Sequence, residues 1–277
     1  AFADHWIDIQ MADFKRLAVL GAWDRPYLTM SFEAEAQIVR ELGKFLLNGA
    51  LYKGAKPVMW SPVEQTALAE AEVEYKDITS TSVYVRFPVI EGSNSALDGS
   101  SIIIWTTTPW TIPGNRAIAF GPKIAYGVYE IEATKTRSLM RQGERVVIAE
   151  SLFQSFAGHA GIEGWRQVAS MGGKDLAGTL TRHPLFDSGY STKAPLYEAT
   201  FVSTDQGTGF VHIAPGHGVD DFELGEEHGL EVPDTVGDNG SFLPEIPLFS
   251  GQHVYKVNPA VIRELSEHDA LVATEKY

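Results

Sequence analysis

The chain has 277 residues, 44% of them hydrophobic and 21% charged, a globular composition with room for one large domain or two smaller ones. Its longest apolar runs are too short to span a bilayer, and the absence of cysteine excludes disulfides and thiolate metal sites. Acidic residues outnumber basic ones 36 to 22, for a net charge of −14. Because phosphate contacts supply most of the affinity for nucleic acid, this charge argues against binding of a long stretch and allows contact with a short end.

The N-terminal part of the chain is predicted to be mainly helical. Apolar residues at every third or fourth position predict a helix over 4–20. A second helix begins after Ser31, its candidate N-cap, and ends at Gly49. KPVMWSP (56–62) is typical of a short strand that ends at its second proline. TALAEAEVEY (66–75) fits a helix or a half-exposed strand, and the pattern does not decide between them.

From residue 79 the apolar pattern changes to the two-residue period of β-strands. Seven runs rich in β-branched and aromatic residues are predicted strands: TSVYVRFPV (81–89), SSIIIWTTT (100–108), RAIAFG (116–121), IAYGVYEIEA (124–133), RVVIAE (145–150), PLYEATFV (195–202) and GTGFVHIA (207–214). Dense short strands of this kind favour a barrel or a tightly curled sheet.

Two more helices are predicted among and after these strands. One covers AESLFQSFAGHAG (149–161), and the other begins with Asn258 as N-cap and Pro259 at its first helical position. The predicted fold class is therefore α/β (α+β): a β-barrel-like domain with surrounding helices and a helical stem. The expected division is a helical stem with its connecting segment at 1–76 and a β-rich domain at 77–277.

The stretch IIIWTTTPWTIPGNRAIAF (102–120) has a row of hydroxyls where a buried strand ends. Thr106, Thr107 and Thr108 follow four apolar residues and precede a Pro-Trp pair and a Pro-Gly turn signal. Taken alone, a threonine run at a strand end more often reflects β-propensity and turn chemistry than a binding site. Trp110 is likewise more often a core residue than a stacking surface.

A second stretch, GTGFVHIAPGHGVDDFELGEEHGL (207–230), places a glycine-rich loop and two aspartates at the start of a short helix. Asp220, with Glu223 three residues later, resembles a capping box, so its predicted role is to satisfy helix N–H groups. Asp221 has no such role. A carboxylate in the first turn of a helix stays ionised readily, which suits Asp221 to hold a cation such as an ammonium group.

The histidines of this stretch also have ordinary structural interpretations. His212, in an apolar strand, is more often a packed and hydrogen-bonded residue than a reactive one, and His217 between two glycines is most simply a loop residue. A metal site formed by His212, His217 and Asp221 matches no metal-binding spacing, and we expect neither a metal nor a cofactor. Composition and spacing alone thus indicate a β-rich domain with one polar, glycine-rich cleft.

Together, WTTTPWTIPGNRA (105–117) and GTGFVHIAPGHGVDDFELG (207–225) resemble the two signature peptides of the editing domain of isoleucyl-tRNA synthetases. RPYLTM, GAKPVMWSP and TALAEAEVEY resemble flanking segments of the same family in the same order, so the resemblance covers nearly the whole chain. The valyl and leucyl relatives are expected to carry an arginine in a Thr-Thr-Arg-Pro motif, where this chain has Thr108 before Pro109.

The sequence departs from the family pattern in two places. Bacterial members often have cysteines after the KPVxW strand, where this chain reads SPVEQ (61–65), so any metal site there is absent. The chain also has neither the HIGH nor the KMSKS signature of the ATP site. We therefore expect a piece of a larger synthetase without the activation chemistry.

The resemblance implies hydrolysis of the ester between valine and the terminal ribose of tRNA(Ile), with valyl-adenylate as a second candidate substrate. Asp221 would hold the ammonium group of valine, and His212 would bound its side chain. Seven residues match family positions in the site: the catalytic Asp221, Thr106, Thr107 and Thr108, and the substrate-binding His212, Asn115 and Trp110.

The implied partners are the 3′ end of tRNA(Ile) carrying valine and the rest of the synthetase chain, in a monomeric, cytoplasmic protein without a membrane segment. No general base is assigned, because Asp221 paired with an ammonium group is poorly placed to take a proton from water. Two other functions stay open: a module that binds the tRNA end without hydrolysis, and a metal-dependent hydrolase.

Overall fold

The computed structural model describes residues 2–54 and 57–277, which belong to two compact units that divide between residues 54 and 55. The first unit contains two helices, α1 (Phe2–Arg16) and α2 (Phe32–Leu47). The second unit contains all the strands and three further helices. The predicted boundary between residues 76 and 77 stays a prediction.

The ends of the first two helices follow from local sequence. Ser31 is the N-cap of α2, and its hydroxyl accepts a hydrogen bond from the N–H of Ala34 at 3.3 Å, as predicted. Gly49 follows the end of α2 with φ of 80°, a conformation that glycine adopts without steric cost. Helix α1 ends at Arg16 rather than at residue 20, because the chain enters the left-handed region at Ala18.

Helix α2 keeps its apolar side exposed within the described residues of this unit. Ile38, Leu42 and Phe45 on one side of α2 are each more than half exposed. Among the described residues, no helix combines the length and the apolar character needed to cross a bilayer.

The second unit starts with a small antiparallel pair, β1 (Trp60–Ser61) and β2 (Thr66–Ala67). The strand predicted at 56–62 is therefore shorter than expected, and Lys56 lies outside the described residues. Neither alternative for 66–75 holds over the whole segment, because β2 is followed by one 3-10 turn at Glu70–Glu72. The indole N–H of Trp60 donates to the carbonyl of Asp238 at 2.8 Å, which fixes this pair of strands to a later loop.

Ten further strands form one mixed sheet: β3 (Thr81–Glu91), β4 (Ser100–Thr106), β5 (Ala117–Phe120), β6 (Ala125–Thr134), β7 (Arg145–Ala149), β8 (Ile162–Gly172), β9 (Leu180–Arg182), β10 (Lys193–Glu198), β11 (Phe210–Ile213) and β12 (Leu271–Lys276). Their order is β11-β5-β10-β9-β3-β4-β7-β6-β8, with β12 added beside β3. The pairs β5–β10 and β4–β7 are parallel. The predicted mixed fold class is confirmed, although the sheet is not a closed barrel: in the described part of the chain, β8 and β11 do not pair.

Three helices pack around the sheet: α3 (Phe153–Ala160), α4 (Val219–Glu227) and α5 (Val254–Glu267). The predicted start of the last helix is wrong. Its N-cap is His253, whose Nδ1 accepts the N–H of Tyr255 at 3.2 Å, so Asn258 and Pro259 lie inside α5. The side-chain oxygen of Asn258 instead accepts the main-chain N–H of Trp110 at 3.2 Å.

The core positions the candidate site through strand β4. Ile102, Ile103 and Ile104 are fully buried, so β4 is covered on both faces. It ends at Thr106, and β11 lies beside it as well as beside β5. The large core cluster holds β4 and the start of β11 at Phe210, whereas Ile213 at the end of β11 packs in a smaller cluster with Ala117 and Ala119 of β5.

Candidate active site

The threonine row turns the chain at the end of β4. The hydroxyl of Thr106 accepts the main-chain N–H of Thr108 at 3.1 Å and shares a hydrogen bond of 3.1 Å with the Thr108 hydroxyl. The carbonyl of Thr107 accepts a hydrogen bond from the Ser80 hydroxyl at 2.9 Å. The turn chemistry expected of a threonine run is therefore present. It leaves Thr107 half-buried and Thr108 exposed at the surface of the unit.

A short 3-10 helix, Pro109–Gly114, follows the threonines and is called the site helix below. The carbonyl of Thr108 accepts both the N–H and the hydroxyl of Thr111, at 3.0 and 2.9 Å. Asn115 comes directly after the site helix and is completely buried. This segment connects β4 to β5, and both of its ends are therefore held by strands of the sheet.

His212 lies near the end of β11, opposite Ile118 of β5, and is 7% exposed. Both of its ring nitrogens have partners. The side-chain amide nitrogen of Asn115 lies 2.8 Å from Nδ1, and the hydroxyl of Thr111 lies 3.0 Å from Nε2. The expectation of a packed, hydrogen-bonded histidine is confirmed.

These contacts determine where the histidine proton lies. The Asn115 amide nitrogen also donates to the carbonyl of Ala117 at 2.8 Å, so it acts as a donor and Nδ1 of His212 accepts. Nε2 therefore carries the hydrogen and donates to Thr111, whose own hydroxyl hydrogen goes to the carbonyl of Thr108. Burial, with smaller contributions from neighbouring histidines, lowers the pKa of His212 to about 3. His212 is thus a neutral, fixed ring at physiological pH.

The aspartates begin helix α4, but not as the sequence pattern predicts. The N-cap is Gly218, and no side chain caps the helix, so the capping role predicted for Asp220 is wrong. Asp220 is exposed in the first turn. Because a Cβ at Gly218 would lie 2.3 Å from Oδ2 of Asp221, glycine is what allows that carboxylate to approach the main chain.

Asp221 faces back toward the end of β11. Its Oδ1 accepts the N–H of Ala214 at 2.6 Å, two residues after His212. Burial raises the pKa of Asp221, and the hydrogen bond from Ala214 opposes that rise without cancelling it. Burial thus opposes ionisation of Asp221, whereas the sequence pattern took account only of the favourable field at a helix N-terminus.

Trp110 and His217 form a third part of the site. Their rings meet edge to face with centroids 4.9 Å apart, and Nε2 of His217 lies 2.7 Å from the Thr235 hydroxyl. His217 is a loop residue as predicted, in the turn between β11 and α4, and burial there lowers its pKa to about 4. Trp110 packs against the core and also lines a cavity of about 340 Å³ with His217, Trp60 and Tyr255.

The described residues contain no group of three or more His, Cys, Asp or Glu side chains arranged to hold a metal ion. Both nitrogens of His212 are already engaged by Thr111 and Asn115, so this ring has no lone pair available for a metal. The metal site considered for His212, His217 and Asp221 would require these hydrogen bonds to break.

Residues 1–263 match the sequence profile of the family described as tRNA synthetases class I (I, L, M and V). The chain belongs to this family. It is 47% identical over 281 residues to the isoleucine–tRNA ligase of Gluconobacter oxydans, covering 99% of this chain and 29% of that protein. It is 46% identical over 272 residues to the isoleucine–tRNA ligase of Pelagibacter ubique, covering 98% and 30%. The resemblance predicted from the signature peptides is confirmed, and the chain spans about 30% of the length of these relatives.

Solved structures of synthetase editing domains share the fold. The crystal structure of GlLeuRS-CP1 matches with a TM-score of 0.53 at 16% identity, over 72% of this chain and 99% of that one. The editing domain of P. knowlesi cytosolic leucyl-tRNA synthetase matches with a TM-score of 0.51 at 11% identity, over 74% and 99%. At these identities the likeness concerns the fold alone.

Of the predicted site residues, the structure brings Asn115 into contact with His212 and places Asp221 just beyond that strand, and it connects Thr108 to His212 only through Thr111. Thr111 and Asn115 are bonded to His212, and Asp221 is attached two residues further along the same chain segment. Sequence reasoning missed Thr111, although it stands in the quoted stretch three residues after Thr108. It also missed His183, whose ring contacts the site helix and whose sequence neighbourhood contains no comparable signal.

Proposed function

We propose that this chain carries the editing site of an isoleucyl-tRNA synthetase, which hydrolyses the ester between valine and the terminal ribose of tRNA(Ile). One observation carries the proposal. His212 is a fixed, neutral ring near the end of β11, and the ionisable Asp221 of α4 is hydrogen-bonded to Ala214 just after that strand. The isoleucine–tRNA ligase relatives and the editing-domain fold support it.

A hydrolytic site of this kind would compensate for the small difference in binding energy between side chains that differ by one methylene. A missing methylene is worth only about 1–3 kcal/mol in a hydrophobic pocket, and isoleucine against valine is the established case of that limit. A second site that excludes the larger side chain by contact can add to the discrimination. The neutral, rigid ring of His212 is suited to be the excluding wall.

The roles proposed for the other residues follow from charge and position. Ionised Asp221 would hold the ammonium group of valine, and the hydroxyls and main-chain groups of Thr106, Thr107 and Thr108 would surround the ester. Trp110 would contact the bound end from the cavity that it lines. His212 is not proposed as a general base, because its acceptor nitrogen is occupied by Asn115.

The proposed partners are the 3′ end of tRNA(Ile) charged with valine and the rest of the synthetase. We place the editing domain at 77–277 and the stem at 1–76, and expect a monomer that acts in the cytoplasm. Valyl-adenylate is a second proposed substrate, because it presents the same valyl group in an activated form.

The test is deacylation of Val-tRNA(Ile) and Ile-tRNA(Ile) by the 277-residue chain, with and without a chelator. We expect hydrolysis of the valyl ester, sparing of the isoleucyl ester and no effect of the chelator. Binding of charged tRNA without hydrolysis would instead support a binding module. Loss of hydrolysis with the chelator would support a metal-dependent hydrolase.

A further inference from the structure

The site helix is held from two sides by histidines of different strands and loops. His212 of β11 contacts the hydroxyl of Thr111 at 3.0 Å. His183, which follows β9, contacts the carbonyl of Ile112 at 3.0 Å. Consecutive residues of one short helix are thus bonded to two buried rings.

His183 is as firmly placed as His212. Its Nδ1 accepts the N–H of Leu185 at 3.1 Å, so Nε2 carries the hydrogen and donates to Ile112. The ring is 1% exposed, is stacked on Tyr190 with centroids 5.0 Å apart, and meets the ring of Phe87 edge to face at 6.2 Å. Burial lowers the pKa of His183 to about 4, so this ring is also neutral at physiological pH.

The site helix depends on these tertiary contacts for its position. A 3-10 helix of this length has poor internal hydrogen-bond geometry, and Pro109 and Pro113 remove two N–H donors from it. The carbonyl of Ile112 accepts the N–H of Asn115 at 3.0 Å as well as the His183 ring. The two histidine bonds therefore act together with the bonds from Thr111 to Thr108 and from Trp110 to Asn258 in fixing the site helix.

We propose that Thr111 and His183 are positioning residues that set the size limit of the site by fixing the site helix and, through it, the ring of His212. The inference rests on the proposed editing function. Without the Thr111 hydroxyl, Nε2 of His212 has no acceptor and the ring is held from one side only, by Asn115. A His212 ring that is free to tilt would move aside and admit the extra methylene of isoleucine.

The first experiment compares Thr111→Val with Thr111→Ser. Valine keeps the shape of threonine and removes the acceptor, whereas serine keeps the hydroxyl. We expect Thr111→Val to raise the rate of Ile-tRNA(Ile) deacylation relative to Val-tRNA(Ile) about ten-fold, within the 10- to 200-fold that one methylene is worth. Thr111→Ser should restore the wild-type ratio. Thr179→Val is the matched control, because it removes another buried threonine hydroxyl, one bonded to Ser93 away from the site helix.

A spectroscopic readout separates positioning from general destabilisation. The Nε2–H of His212 should exchange slowly with solvent in wild type, in Thr111→Ser and in Thr179→Val, and rapidly in Thr111→Val. His183→Phe, which keeps an aromatic ring and removes the donor to Ile112, should change the deacylation ratio about three-fold in the same direction. This variant decides the question if Thr111→Val does not fold.

The outcomes distinguish this inference from the function on which it rests. If wild type does not hydrolyse Val-tRNA(Ile), the proposed function fails and this inference fails with it. If wild type is active and folded Thr111→Val and His183→Phe keep the wild-type ratio, only the positioning role is overturned. An equal change in Thr179→Val would also overturn it, because the effect would then be unspecific.

Discussion

The two sides of the candidate site are built from different kinds of interaction. On one side His212, Thr111 and Asn115 are buried, neutral and joined by hydrogen bonds of 2.8 to 3.0 Å. On the other side Asp221 is only partly buried, carries a titratable charge and is held by main-chain N–H groups, those of Ala214 and of Asp221 itself. We call these the neutral side and the charged side.

The difference matches the two tasks proposed for the site. Steric exclusion acts over fractions of an ångström, so a group that measures size must be fixed in place. Electrostatic attraction falls off slowly with distance, so a group that holds an ammonium ion needs charge more than rigidity. Each side should therefore respond to its own kind of perturbation.

Acid should weaken the neutral side first. The pKa of His212 is about 3 and that of His183 about 4 in the folded chain, against 6.5 for an ordinary histidine. Below pH 6.5 the unfolded chain binds protons that the folded chain does not, so the free energy of unfolding falls as pH falls. Each histidine contributes about 1.4 kcal/mol per pH unit, and His217, whose pKa is also lowered to about 4, adds an equal share, which gives about 6 kcal/mol in all by pH 5.

Urea unfolding at pH 7, 6 and 5 measures this loss. His183→Phe should reduce the dependence of the unfolding free energy on pH by the contribution of one histidine, about 1.4 kcal/mol per pH unit. A stability that stays constant from pH 7 to pH 5 would show that these rings are not held neutral by the fold.

Removing the charge of Asp221 should cost about 100-fold in deacylation of Val-tRNA(Ile), the value of a charge-assisted hydrogen bond to an ammonium group. Asp221→Asn keeps an oxygen to accept the N–H of Ala214. Because burial raises the pKa of Asp221, ionisation costs stability as pH rises, so the asparagine variant should be at least as stable at pH 7.

The matched control is Glu223→Gln, which removes one negative charge from the exposed surface of the same helix. Deacylation rates and melting temperatures of both variants are the measurements. An equal loss of activity in Glu223→Gln would mean that overall charge, rather than an ammonium anchor, is responsible.

Removing the His212 ring should change the ratio of Ile-tRNA(Ile) to Val-tRNA(Ile) deacylation more than it changes the rate on Val-tRNA(Ile). His212→Ala should raise deacylation of Ile-tRNA(Ile) by about ten-fold or more and leave Val-tRNA(Ile) deacylation within about ten-fold of wild type. Because the ring is buried, the variant also loses about 3 kcal/mol of stability, so its melting must be measured alongside. Loss of both activities in a folded variant would place His212 in the chemistry instead.

The smallest effect is expected at Asp220. Its side chain is exposed and does not cap α4, so Asp220→Ala should cost only the helix-dipole contribution, about 0.5 kcal/mol, and should not change deacylation. A melting measurement and one deacylation rate test this. Inactivation with unchanged melting would mean that the roles of Asp220 and Asp221 are reversed.

Sequence patterns predicted the helices and strands that are specified by residues close together in the chain. Helix α2 follows from Ser31 and its apolar stripe, and β4 follows from its run of isoleucines. Strand β8 was not predicted, because it is a half-exposed edge strand with polar residues such as Arg166. The start of α5 was misplaced because Asn258-Pro259 imitates a helix N-terminus, whereas Asn258 bonds to Trp110, 148 residues away.

The site was predicted as a set of residues but not as a network. Thr111 and His212 lie 101 residues apart and Asn115 and His212 lie 97 apart, so no spacing rule links them. The protonation of His212 and the raised pKa of Asp221 both depend on burial, which sequence patterns do not measure. The sequence therefore predicts which residues form the candidate site, and the fold determines the burial and hydrogen bonding of each.

The central claim is that size and charge are recognised by separate sides of the site. The most direct test is to introduce Asp221→Asn into the His212→Ala background and measure deacylation of both Val-tRNA(Ile) and Ile-tRNA(Ile). The account predicts that both rates fall by the same factor, about 100-fold, and that their ratio stays at the value of His212→Ala alone. A change in that ratio would contradict the claim, because Asp221 would then take part in recognising the side chain.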